Sequence, residues 1–124
     1  MRVLVIEDEP VAQTLLTAIV ERLGFDVITV GTVADANREL QSEQPLDVAI
    51  IDWILPDGSG VDLVRTVRAS ETRSKMKLLM VTSRDDEEDV QEAVLAGADE
   101  YLMKPIENDT LMSKFELLGL VSMK

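Results

Sequence analysis

Five times within 124 residues, a short run of β-branched and aliphatic side chains gives way to a longer stretch whose apolar residues recur at three- and four-residue spacing. The runs Val3 to Ile6, Asp26 to Val30, Asp47 to Ile51, Lys77 to Val81 and Asp99 to Leu102 read as strands. A helix candidate follows each. Pro10 opens the first, with Val11, Leu15, Leu16, Ile19 and Leu23 as its apolar stripe and Gly24 as its stop. The second begins at Thr32 or Asp35 and ends before Pro45. The third runs from about Val61 to Ala69, with Val61, Leu63, Val64 and Val67 apolar. The fourth starts at Asp85, where Asp85 and Glu88 fit a capping box, turns Val90, Val94 and Leu95 inward, and ends at Gly97. Asn108 or Asp109 caps the fifth, which carries Leu111, Phe115 and Leu118. Strand-then-helix units on short connections, with no linker or repeat between them, predict a single α/β domain: one parallel sheet with helices on both faces.

In such a sheet, ligands bind beyond the carboxyl ends of the strands, where the winding reverses. Glu7, Asp8 and Glu9 follow the first strand, Asp52 the third, Thr82 the fourth, and Lys104-Pro105 the fifth. Two carboxylates about 4 Å apart repel by roughly 4 kcal/mol at an effective dielectric near 20, so Glu7, Asp8 and Asp52 need cations beside them. Lys104 supplies one charge. The chain has no histidine and no cysteine, which excludes imidazole- or thiolate-based nucleophiles, disulfides and ordinary zinc or copper sites. An all-oxygen donor set selects a hard divalent ion such as Mg2+, which keeps waters that phosphate oxygens can replace. A carboxylate, Mg2+, a lysine and a hydroxyl around one point suit phosphoryl transfer to Asp52, whose ordinary pKa of about 3.9 leaves it ionised at neutral pH.

The segments Val-Leu-Val-Ile-Glu-Asp-Glu-Pro (3–10), Ile-Ile-Asp-Trp-Ile-Leu-Pro-Asp-Gly-Ser-Gly (50–60), Met80 to Ser83 and Gly-Ala-Asp-Glu-Tyr-Leu-Met-Lys-Pro (97–105) resemble the receiver domain of two-component response regulators, including its chemotaxis-regulator branch. The likeness covers almost the whole chain. It implies a flavodoxin-like fold with five strands in the order 2-1-3-4-5, and phosphorylation of Asp52 by a phosphohistidine on a sensor histidine kinase or histidine phosphotransfer protein. It also implies Mg2+ held by Asp8, Asp52 and the backbone carbonyl of Ile54, with Glu7 acting through water. Lys104 would pair with the phosphoryl group, Thr82 would move to hydrogen-bond it, and the Lys104-Pro105 peptide would be cis. Tyr101 would be a switch aromatic that rotates when Thr82 engages phosphate and alters the surface formed by the fourth helix, fifth strand and fifth helix. Ile54 and Arg84, with Ser83 as a small spacer, would tune water access; an apolar Ile54 cannot position a hydrolytic water, which implies slow self-dephosphorylation.

Blander roles compete. Glu9 serves only the N-terminus of the first helix, Asp57-Gly58 and Gly60 are turn chemistry with Pro56 fixing the loop, and Tyr101 could be an edge-strand aromatic. Met112, Leu117, Leu120 and Val121 widen the apolar surface of the last helix beyond its buried stripe. That excess points to a downstream protein partner, a homodimer or a fused output domain, with residues from about 119 to 124 forming a tail or the start of a linker. A formal net charge of -12 opposes direct contact with nucleic acid or anionic lipid. The apolar run after Arg2 is too short for a signal segment or a membrane span, so the chain reads as cytoplasmic with its natural N-terminus. The enzyme-class alternative is a small phosphatase or phosphotransferase forming an aspartyl phosphate. Against it, Asp52 and Asp57 are spaced wrongly for an Asp-x-Asp signature.

Overall fold

Residues 1–83 and 87–121 are described by the computed structural model. In chain order the elements are β1 (Arg2–Ile6), α1 (Pro10–Arg22), β2 (Asp26–Val30), α2 (Val33–Gln41), β3 (Val48–Asp52), β4 (Ile54–Leu55), β5 (Gly58–Ser59), α3 (Gly60–Ala69), β6 (Lys77–Thr82), α4 (Glu87–Ala96), β7 (Glu100–Met103) and α5 (Asn108–Leu117). Five strands form one parallel sheet in the order β2-β1-β3-β6-β7, which is the expected 2-1-3-4-5 arrangement once the two-residue strands β4 and β5 are set aside. Those two pair with each other as a small antiparallel hairpin.

The alternation of side chains along each strand divides the core. Val3, Val5, Val48, Ile50, Leu79 and Val81 pack against α1 and α5 through Leu16, Ile19, Val20, Leu111 and Phe115. On the other face, Leu4, Ile6, Ala49, Ile51, Leu78 and Met80 meet Ala36 and Leu40 of α2, Leu63, Val64 and Val67 of α3, and Ala93 of α4. Because the central strands are covered on both faces, they read as continuous apolar runs. Phe25 and Phe115 meet edge to face at 5.4 Å, and complete burial of a side chain such as Phe115 contributes about 1.5–3 kcal/mol.

Helix ends follow local chemistry. Glu9 accepts from the Val11 and Ala12 amides ahead of Pro10, and Gly24, at φ +96°, lets the chain leave α1. Thr32 is the cap of α2, its hydroxyl accepting from the Asp35 amide. The cap position of α5 is Glu107, one residue earlier than expected, and its side chain makes no capping bond.

Two apolar stripes differ from expectation. In α1, Val11 is 73% exposed and Leu15 faces solvent, while Leu16, Ile19 and Val20 carry the burial. In α4, Val94 and Leu95 are 57% and 87% exposed and Ala93 is the buried residue. A small side chain at that point lets α4 pack closely on its neighbours, which turns the larger residues outward. The expected helix start at Asp85, with its capping box, lies outside the described residues; α4 is described from Glu87. At the other end, Gly119 adopts φ +75°, and Leu120 and Val121 are half-buried against the core on the α1 and α5 face, so they do not widen the exposed surface of α5; Leu117 does. Among the described residues, no helix is long and apolar enough to cross a membrane.

Candidate functional site

The parallel register brings the ends of four strands to one edge. Glu7 leaves β1 with its amide bonded to the Val30 carbonyl, Asp52 is the last residue of β3, Thr82 is the last of β6, and Lys104 follows β7 with its amide on the Thr82 carbonyl at 2.9 Å. Glu7 and Thr82 are each 1% exposed, Asp52 is buried, and Asp8 stands in solvent beside them. One carboxylate oxygen from each of Glu7, Asp8 and Asp52 lies within 4.8 Å of the other two. Lys104 reaches into this group, its Nζ donating to Glu7 Oε1 at 2.5 Å and, more loosely, to Asp52 Oδ2 at 3.4 Å. The Lys104-Pro105 peptide is cis.

Among the described residues, three carboxylates face one ammonium at this edge, which leaves them under-neutralised. Burial pushes the Asp52 carboxyl up to about 7; the adjacent Glu7 carboxyl adds to the rise by offering to share the proton and by repulsion, and Lys104 offsets part of it. The fold thus favours protonation of Asp52 more than its residue type alone does. For Lys104, burial pulls downward, but the bonds and attraction to Glu7 and Asp52 win and raise it. Glu7 Oε2 is buried and has no hydrogen-bond partner among the described residues, a costly state unless something charged completes it. Only oxygen donors are present, so the set fits a hard divalent cation such as Mg2+.

Residues after Asp52 form a tighter structure than the turn expected there. The chain passes through Trp53, which is buried, into the β4–β5 hairpin, whose register pairs Ile54 with Ser59 and Leu55 with Gly58 and leaves Pro56-Asp57 as a two-residue loop. Ile54 opens this hairpin with its side chain exposed. Gly60 then begins α3 with its amide on the Trp53 carbonyl at 2.7 Å, and a Cβ there would stand 2.0 Å from the Asp52 carbonyl oxygen. Gly60 is thus a close-approach residue behind Asp52 as well as part of a turn. A glycine at the first position of a helix, directly after the serine cap Ser59, was the signal available for it. Asp57 also exceeds its expected role: its two carboxylate oxygens accept from the Val33 and Ala34 amides of α2 at 2.7 and 3.0 Å, and these bonds hold its carboxyl below the usual range.

Of the remaining expected site residues, Ser83 is exposed just beyond Thr82, and Arg84 lies outside the described residues. Tyr101 pairs with Met80 in the sheet and packs, half-buried, on the face that also carries α4.

Comparison with known proteins follows the same outline. Residues 3–116 match the family model described as the response regulator receiver domain. The phosphate regulon transcriptional regulatory protein PhoB of Rhizobium meliloti is 32% identical over 117 residues, covering 94% of this chain and 51% of that protein. Chemotaxis protein CheY1 of Helicobacter pylori is 29% identical over 95% of this chain and 96% of its own length. The chain thus spans about half the length of the PhoB-type relatives it matches. Among solved structures, the receiver domain of the sensor histidine kinase PA1611 from Pseudomonas aeruginosa superposes with a TM-score of 0.84 at 28% identity over 94% of each chain, and it holds a magnesium ion in its active site cleft.

Proposed function

Because this chain belongs to the response regulator receiver domain family of two-component systems, we propose that it receives a phosphoryl group on Asp52 from a phosphohistidine of a sensor histidine kinase or histidine phosphotransfer protein. Membership of this family takes the place of the aspartyl-phosphate phosphatase alternative. The observation that carries the proposal is the convergence of a buried, under-neutralised Asp52 with Glu7, Asp8 and Lys104 at the carboxyl edge of the sheet.

In the reaction, an Asp52 oxygen forms a bond to phosphorus as the bond from phosphorus to the donor imidazole nitrogen breaks, the electron pair returning to that nitrogen. For this, Asp52 must first shed the proton that burial favours. Asp8 and Asp52, with the Ile54 carbonyl and with Glu7 through water, would hold Mg2+, which when bound supplies positive charge for the phosphoryl oxygens. Lys104, already between Glu7 and Asp52, pairs with the incoming group, and Thr82 from the neighbouring strand donates its hydroxyl to it. Tyr101, on the α4 face, changes rotamer with Thr82 and passes the state to a downstream partner, a fused output domain or a second copy. The apolar Ile54 side chain beside the site slows hydrolysis, and the whole event takes place in the cytoplasm.

Trp53 is the only tryptophan and follows Asp52 directly. Its fluorescence should respond to Mg2+ and then to acetyl phosphate, with Asp52→Asn losing the second response. A wild-type chain silent to both would end the proposal.

A further inference from the structure

The β4–β5 hairpin links Asp52 at the end of β3 to the start of α3. It is four paired residues long, too short to hold its own shape in water, yet it carries Ile54 on one side and leads to Gly60 on the other. Leu55 anchors one side in the core. The tip is fastened elsewhere, through Asp57: its carboxylate takes both the Val33 and Ala34 amides, 24 and 23 residues away in sequence, and so occupies the N-terminus of α2 alongside the local cap Thr32. The fit is close, since Gly58 lies against Val33 with room for no more than a tight Cβ, at 3.1 Å.

We infer that Asp57 is a positioning residue for the metal-binding loop, clamping the β4–β5 hairpin to the first turn of α2 so that the backbone between Asp52 and Gly60 is held ready for the cation. This inference rests on the receiver reading. The logic is that of preorganisation. Two charge-assisted bonds from a helix N-terminus fix the loop tip before any ligand arrives, and a fixed loop loses less freedom when its backbone takes up a metal. Asp57 stands apart from the Glu7, Asp8 and Asp52 cluster, so its effect reaches the site through the hairpin. The same two bonds join the site to α2, so displacement of α2 by a partner would be felt at the metal-binding loop.

Asp57→Ala, Asp57→Asn and Thr32→Ala separate positioning from plain helix stability. Amide hydrogen exchange on the metal-free chain reads the clamp directly, and Trp53 fluorescence reads Mg2+ affinity. Asp57→Ala should speed exchange at Val33 and Ala34 and weaken Mg2+ by several-fold to about tenfold, the low end of what groups one shell beyond metal ligands produce. Asp57→Asn, which keeps one acceptor oxygen, should fall between Asp57→Ala and wild type. Thr32→Ala should loosen the first turn of α2 with little change in Mg2+ affinity. Unchanged Mg2+ affinity in Asp57→Ala, or an equal loss in Thr32→Ala, would overturn this inference alone. A wild-type chain with no Mg2+ response would overturn the receiver reading and this inference with it.

Discussion

The two ends of the same sheet each hold an acid–base cluster, and they are built to opposite standards. At the amino end, Arg68 donates to the carbonyls of Gly97, Ser74 and Met76 and to Asp99, whose carboxylate also accepts the Leu78 amide that opens the core of β6. One cation meets one carboxylate, and backbone groups complete both. At the carboxyl end, among the described residues, one lysine faces three carboxylates, Asp52 is driven toward protonation, and a buried Glu7 oxygen lacks a hydrogen-bond partner. The first arrangement ties α3 to the loops that enter β6 and β7. The second stores electrostatic need that a divalent cation can relieve, at some cost to the stability of the metal-free chain.

Removing charge should therefore have opposite signs at the two ends. Arg68→Ala strands several carbonyls and the Asp99 carboxylate, and should cost about 2–3 kcal/mol in urea denaturation with Mg2+ affinity unchanged. Glu7→Gln relieves repulsion, so in chelator it should unfold at equal or higher urea than wild type while binding Mg2+ more weakly. If both substitutions destabilise alike, the contrast between the ends is wrong.

Gly60→Ala probes how tightly the carboxyl end is built. Its new methyl group would meet the Asp52 carbonyl, so overpacking should cost about 1–3 kcal/mol and reduce Mg2+ affinity as Asp52 is displaced. A stable Gly60→Ala chain with normal Mg2+ binding would show that the backbone there can yield.

The pH response sharpens the same comparison. Asp52 titrates at an ordinary carboxylate pKa in the unfolded chain and near 7 in the folded one, so between those values the folded state binds a proton that the unfolded state lacks. The contribution of Asp52 to metal-free stability is thus full below the lower value and is lost as pH rises toward 7. Asp57 runs the other way: its folded pKa is depressed, so its contribution is present above the ordinary carboxylate range and is lost on acidification through the folded value. Mg2+ competes with the Asp52 proton, and its affinity should climb through about pH 7 and then level off. Calorimetric Mg2+ titrations showing no such climb would contradict the protonated Asp52.

The smallest effect concerns Ile54→Asn, which places a polar side chain two residues after Asp52, the proposed acceptor, and should shorten the phosphoryl lifetime. A lifetime unchanged or longer, measured by loss of label after donor removal, would remove Ile54 from any tuning role.

What the sequence disclosed has a physical pattern. The sheet was legible because β-branched runs buried on both faces leave continuous apolar stretches, and the gathering of Glu7, Asp8, Asp52 and Lys104 at one edge was legible because they stand at or just beyond the ends of those runs. The hairpin was not, since two-residue strands have no period to read. Asp57 looked like a turn residue because its partners are more than twenty residues away. In α4, periodicity favoured Val94 and Leu95 over Ala93, although close helix packing selects the small side chain. Full ionisation of Asp52 followed from its residue type alone, whereas its burial beside Glu7 exists only in the fold.

The most direct measurement is intact-protein mass after incubation with acetyl phosphate. Wild type with Mg2+ should gain a single phosphoryl group, and neither Asp52→Asn nor wild type in chelator should gain any. A phosphoryl group on Asp52→Asn, or on wild type without Mg2+, would contradict the assignment of Asp52 as the metal-assisted acceptor.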